Sequence, residues 1–212
     1  MRAYGPLLIM AAMIGLAHAE STRVSILSSG RLDGWETNRF KGETRYEIVS
    51  LNGQWVLRAE SNGSASGRVR KIRIDLFKTP YLNWSWRIEN TLGNLNEQRK
   101  MGDDYPARVY VIVQDGLAFW RPRTINYVWA TSPQGHMWPN AFAGNSVVMI
   151  AQRSGPSGIG SWHQEKRNIR EDLQRYFSED IRYIDSVALM TDTDNAGGLA
   201  VAYYGDIYFS AD

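Results

Sequence analysis

The 212-residue chain carries 24 Lys and Arg against 22 Asp and Glu, for a net charge of +2, and has no cysteine. So balanced a chain offers no electrostatic footprint for nucleic acid, and without cysteine it forms no disulfide and carries no lipid on a thiol. Eight Trp and eleven Tyr are the informative deviation: such side chains fill a β-sandwich core, and they also stack on sugar rings.

In chain order, residues 1–19 read as a signal peptide: Arg2, an apolar run from Leu7 to Leu16, and the small residues "AHA" before a cleavage expected after Ala19. The run is shorter than the stretch of about 20 apolar residues that a membrane helix needs, and no later segment comes close. No transmembrane segment is therefore expected in the mature chain. The expectation is an exported protein, periplasmic or secreted, in which residues 20–212 form a single domain.

Period-two alternation then dominates. "TRYEIVSL" (44–51) and "QWVLRAES" (54–61) meet at the turn signal "LNGQ". "KIRIDLF" (71–77) places Ile72, Ile74 and Leu76 on one face, and "LNWSWRIEN" (82–90) does the same with Leu82, Trp84, Trp86 and Ile88. "ARVYVIVQ" (107–114), "TINYVWAT" (124–131), "SVVMIAQ" (146–152), "DSVALMT" (185–191) and "LAVAYYGDIYF" (199–209) bring the strand candidates to nine. They predict a mainly β protein, an antiparallel β-sandwich of jelly-roll, galactose-binding-like or concanavalin-like type. One helix interrupts the pattern at 161–178, where Ser161 and Gln164 have capping-box spacing and Ile169, Leu173, Tyr176 and Phe177 recur at helical intervals. It is expected to cover an end or a face of the sandwich. Residues 130–145 form the longest stretch with little periodicity, and such loops often carry function.

Three polar clusters stand out. In "GDDYPARV" (102–109), Asp103 or Asp104 could hold Arg108 in a bidentate pair, bind a hard cation, or split into acid and base. The same residues also suit an Asp-capped turn with an ion pair at a strand start. In "TDTDNAGG" (191–198), Asp192, Asp194 and Asn195 offer oxygens at alternating spacing, as a calcium loop or an Asx-rich hairpin turn would. On the predicted helix, Glu165, Asn168 and Asp172 share a face, with Arg167 beside it. Glu165 joined to an Asp of another cluster would make the two-carboxylate pair of a glycosidase. The separated His136 and His163 lack zinc spacing, and no nucleophile elbow or phosphate loop occurs. Trp120 and Trp138 sit in loops with no apolar phase, which makes them the candidates for sugar stacking.

Taken together, "GW" (34–35), "LNWSWRIE", "GDDYPARVYV", "YVWA" (127–130), "WHQEKRN" (162–168), "MTDTDNAGG" and "AYYGDIYF" resemble the domain of unknown function 3047 family of exported bacterial proteins. The resemblance implies that the polar clusters, with Asp206, matter more than the histidines. The closing "GDIYF" also resembles the last strand of galactose-binding-like sandwiches, which implies a structural calcium held by Asp192, Asp194 and Asp206. Three readings stay open. The first is a glycan-binding protein using Arg108, Trp120, Trp138, Arg167, Asn168, Asp192, Asp194 and Asn195. The second is a glycoside hydrolase or polysaccharide lyase using Asp103, Asp104, Arg108 and Glu165. The third is an interaction domain with an ionic or calcium-stabilised core.

Overall fold

The computed structural model describes residues 20–114 and 122–212. Two seven-stranded sheets face each other. The first contains β1 (Ser21–Arg23), β3 (Arg45–Leu51), β4 (Gln54–Asn62), β6 (Tyr81–Ile88), β11 (His163–Asn168), β13 (Leu199–Tyr204) and β14 (Tyr208–Ser210). The second runs in the order β2 (Trp35–Lys41), β5 (Ala65–Asp75), β12 (Tyr183–Asp192), β7 (Arg108–Val113), β8 (Arg123–Ala130), β10 (Gly144–Ser154) and β9 (Met137–Asn140). The protein is a mainly β sandwich, as the alternation predicts, with one α-helix among the described residues. One pairing departs from the antiparallel expectation: β8 and β10 run parallel.

The periodic segments form strands for the reason their pattern suggests. Along β6, Leu82, Trp84, Trp86 and Ile88 are buried while the residues between them are half-exposed. They meet Val109 and Val111 of β7 and Tyr127 and Trp129 of β8 in the core between the sheets, with Trp84 5.4 Å from Tyr127 and Trp86 6.1 Å from Trp129. Each aliphatic side chain so buried contributes on the order of 1.5–3 kcal/mol before entropy is counted. The β3–β4 hairpin turns at Asn52 and Gly53, both at positive φ (51° and 80°), which matches the primed two-residue turn that an Asn-Gly pair favours.

The helix differs from its prediction. Residues 163–168 pair with β6 as a strand, and α1 spans only Ile169–Phe177. The capping pair is Asn168 with Glu171, not Ser161 with Gln164: the Asn168 side chain accepts from the Glu171 amide at 3.2 Å and donates to the Glu171 carboxylate at 2.8 Å. Glu165 and Asn168 therefore do not share a helical face with Asp172. Polar alternation in "HQEKRN" belongs to a strand half-facing the core, and Ile169 and Leu173 anchor the helix there. The aperiodic 130–145 stretch also contains a short strand, β9, on the edge of the second sheet.

The outer face of the second sheet is less exposed than a solvated face should be. Tyr105, Val128, Ala130, Trp138, Met149 and Ala151 make a second, smaller apolar cluster there. The segment leading into β7 folds over this face through Tyr105, and it is tightly packed on itself: a Cβ on Gly102 would lie 2.3 Å from the Asn96 carbonyl oxygen.

Candidate functional site

Arg108 starts β7 in the phase opposite to Val109 and Val111, so its side chain emerges on that outer face together with Tyr110. It is 4% exposed. Its Nε donates to Asp192 Oδ1 at 2.7 Å and its Nη2 to Asp192 Oδ2, a bidentate pair, while Nη2 also reaches the Asp103 carbonyl. Tyr105 lies over the guanidinium at 4.3 Å. Asp192 arrives at the end of β12, where its neighbour Met190 stands beside Arg108 in register. Burial pushes the Asp192 carboxyl above its ordinary range in spite of Arg108, and burial pushes Asp103 up as well.

The two adjacent acids diverge. Asp103 accepts from Asn140 Nδ2 at 3.1 and 3.0 Å. Asp104 turns the other way and accepts from the Asn195 amide and side chain and from the Ala196 amide, at 2.6–3.1 Å, capping the turn after β12. The first and second polar clusters of the sequence thus converge through Asp103, Asp104, Arg108, Asp192, Asp194 and Asn195. Asp104, Asp192 and Asp194 each bring an oxygen within 4.8 Å of the others. Asp206 takes no part in that group: its carboxylate accepts from the amide and hydroxyl of Ser28, at 2.9 and 2.6 Å. The expected calcium set of Asp192, Asp194 and Asp206 does not assemble.

Beside this network lies a cavity of about 390 Å3. Its floor comprises Arg108 and Asp192 with Tyr110 and Asn126, which stand opposite each other on β7 and β8; its walls include Phe40, Phe142 and Met190. Phe40 and Phe142 are 67% and 55% exposed, well above what a core aromatic would be. Asn126 is 1% exposed, yet its Oδ1 has no hydrogen-bond partner among the described residues. Its Nδ2 points at the Met149 sulfur, 3.5 Å away. A thioether accepts and cannot donate, so the amide is oriented with its oxygen left over.

The third cluster stays on the other side of the second sheet. Glu165 accepts from Trp86 Nε1 at 3.1 Å, Gln152 Nε2 at 2.6 Å and Arg153 Nε at 2.6 Å. Arg167 pairs with both oxygens of Asp172, at 2.9 and 2.6 Å, and Asp172 also accepts from the buried Tyr127 hydroxyl at 2.6 Å. Asn168 caps the helix. The expected pairing of Glu165 with Asp103 or Asp104 is therefore absent, because β7 and β8 stand between them. Trp138 is no surface platform: it is 3% exposed and stacked on His136 at 5.3 Å. Trp120 lies outside the described residues.

Sequence reasoning missed Asn126, Asn140, Phe40 and Phe142. One signal was available for Asn126. It interrupts the apolar run of "TINYVWAT" with a residue that strands disfavour, in the phase away from the core. Asn140 and Phe142 fall in or next to the aperiodic stretch that stood out as a loop.

A family model described as "Protein of unknown function (DUF3047)" matches residues 33–208. The chain belongs to that family. No protein of curated function matches the DUF3047 chain in sequence. Among solved structures, the family 30 carbohydrate-binding module of the cellulosomal cellulase Cel9D-Cel44B of Clostridium thermocellum superposes with a TM-score of 0.50 at 10% identity, over 91% of this chain and 98% of that one. The xyloglucanase domain of NopAA from Sinorhizobium fredii gives 0.47 at 14% identity over 92% and 98%. The glycoside hydrolase domain of Endo-D from Streptococcus pneumoniae R6 gives 0.43 at 12% identity, and there the match to 84% of this chain spans only 22% of that one. At 10% identity the likeness to the family 30 module speaks for the sandwich fold alone.

Proposed function

We propose that this DUF3047 protein is exported and binds a saccharide in the cavity on the outer face of its second sheet. One observation carries the reading: apolar and aromatic walls share a cavity with Asn126, a floor residue whose buried Oδ1 no described protein group satisfies. Buried polar atoms nearly always have partners, and an exception inside an open cavity asks for a ligand that donates. A sugar ring supplies both halves, since its C–H face packs on aromatics and its hydroxyls donate. The resemblance to a carbohydrate-binding module supports a suitable scaffold without assigning residues. Export rests on the Arg2, Leu7–Leu16 and "AHA" pattern of the first 19 residues. A hydrolase that relies on Glu165 has no geometric support, since both oxygens of that carboxylate are taken by Trp86, Gln152 and Arg153 and neither Asp103 nor Asp104 is beside it.

Amide NMR of the labelled protein, titrated with a panel of soluble oligosaccharides, tests the assignment. At least one sugar should shift the amides of Tyr110, Asn126, Asn140 and Phe142 in a saturable way. Shifts confined to the first sheet, or no shift with any member of the panel, would overturn it.

A further inference from the structure

The cavity is asymmetric in what it can still offer a ligand. Most of its donors are engaged: Arg108 Nε and Nη2 with Asp192 and the Asp103 carbonyl, Asn140 Nδ2 with Asp103, and the Asn195 side chain with Asp104, while Arg108 Nη1 stands 3.8 Å from the Asp103 carboxylate. Tyr110 donates to the Met190 sulfur at 3.3 Å. Its acceptors have capacity to spare. Among the described residues Asn126 Oδ1 is unpartnered, and the half-buried Asp194 carboxylate receives only the Asn195 side-chain Nδ2 at 3.3 Å, with no cation. The acidic residues that line the cavity are Asp103, Asp192 and Asp194, and among the described residues its one basic lining residue is Arg108. Two lysines reach its rim. Lys41 bonds the Asp194 carbonyl at 2.6 Å, and Lys100 lies 5.1 Å from the centre of the Phe142 ring. Both are exposed, so water and salt screen them, whereas the floor is screened far less.

Such a lining repels anions and leaves a neutral ligand with one carboxylate uncompensated. Resting on the saccharide reading above, we propose that the bound saccharide carries a free amine, a hexosamine unit without its N-acetyl group. Its ammonium lies against Asp194 and a hydroxyl donates to Asn126 Oδ1. The two contacts divide the work: the neutral donor to Asn126 is common to all sugars, and the ammonium to Asp194 selects among them.

Calorimetric titration with four tetrasaccharides separates these roles: one built of glucosamine, one of N-acetylglucosamine, one of glucose and one of galacturonic acid. The glucosamine oligomer should bind at least about tenfold more tightly than the two neutral ones, with the uronate weakest. In Asp194→Asn the preference should fall to about threefold or less while neutral binding persists. Equal affinity for the amino and neutral oligomers would overturn the amine assignment and leave saccharide binding standing. A preference that survives Asp194→Asn would overturn it too, by placing the contact elsewhere. Binding of none of the four would count against both readings. Calcium alone, taken up in an Asp194-dependent way with no glucosamine preference, would replace the amine by a metal ion.

Discussion

Two buried ionic assemblies lie on opposite sides of the second sheet and differ in one respect. Inside the sandwich, Glu165 holds Trp86, Gln152 and Arg153, and Asp172 holds Arg167 and Tyr127. Every oxygen of these two carboxylates has a donor, even though Glu165 itself borders a cavity with Asn83, Lys166 and Tyr208. Outside, Asp103, Arg108 and Asp192 are as deeply buried but open onto a cavity where Asn126 Oδ1 is unmatched. Burial and charge are thus common to both, and saturation separates them. A saturated assembly positions strands; an unsaturated one has something left to give a ligand.

Substitution can sharpen that contrast. Asp192→Ala should have the largest effect on stability, because it leaves the Arg108 guanidinium buried without its bidentate partner. Such losses run to about 3–5 kcal/mol and would show in urea unfolding as a much lower midpoint. A loss below about 1 kcal/mol would mean that water reaches Arg108 and that the pair is not a closed structural unit. Asp172→Ala should cost less, about 2–3 kcal/mol, mainly through the stranded Tyr127 hydroxyl, since Arg167 is 28% exposed and can turn to water. Its saccharide affinity should equal that of the parent. Weaker binding in this variant would tie the inner assembly to the site and dissolve the distinction.

Much of the architecture was legible as periodicity. "LNWSWRIEN" shows its buried face residue by residue, and "LNGQ" shows its hairpin. The misread helix start has a physical cause: "HQEKRN" buries Glu165 through hydrogen bonds and not through apolar side chains, so hydrophobic alternation cannot reveal it as a strand. The site was legible in part for a related reason. Asp103, Arg108 and Asp192 announce themselves as charges near strand ends, but their convergence depends on β7 and β12 being neighbours, which no local pattern encodes. Trp138 illustrates the converse error. An aromatic in a stretch without period reads as exposed, whereas a second apolar layer over the outer face buries it.

The smallest effect on stability and the largest on binding should come from the same substitution, Asn126→Leu. Leucine keeps asparagine's branched skeleton with two bulkier methyl groups, suits a strand better, and removes an acceptor that the described residues leave without a donor. The lost Nδ2 contact to the Met149 sulfur is long and weak, 3.5 Å. Stability should therefore stay within about 1 kcal/mol of the parent, on either side, in the same urea experiment. Saccharide binding should fall by about tenfold or more, the consequence of replacing an unmatched acceptor on the floor with a methyl group that accepts no hydrogen bond. A variant that unfolds early while binding normally would show that Asn126 Oδ1 is satisfied by the fold after all. The cavity would then be one more saturated structural assembly, and the comparison between the two sides of the sheet would collapse.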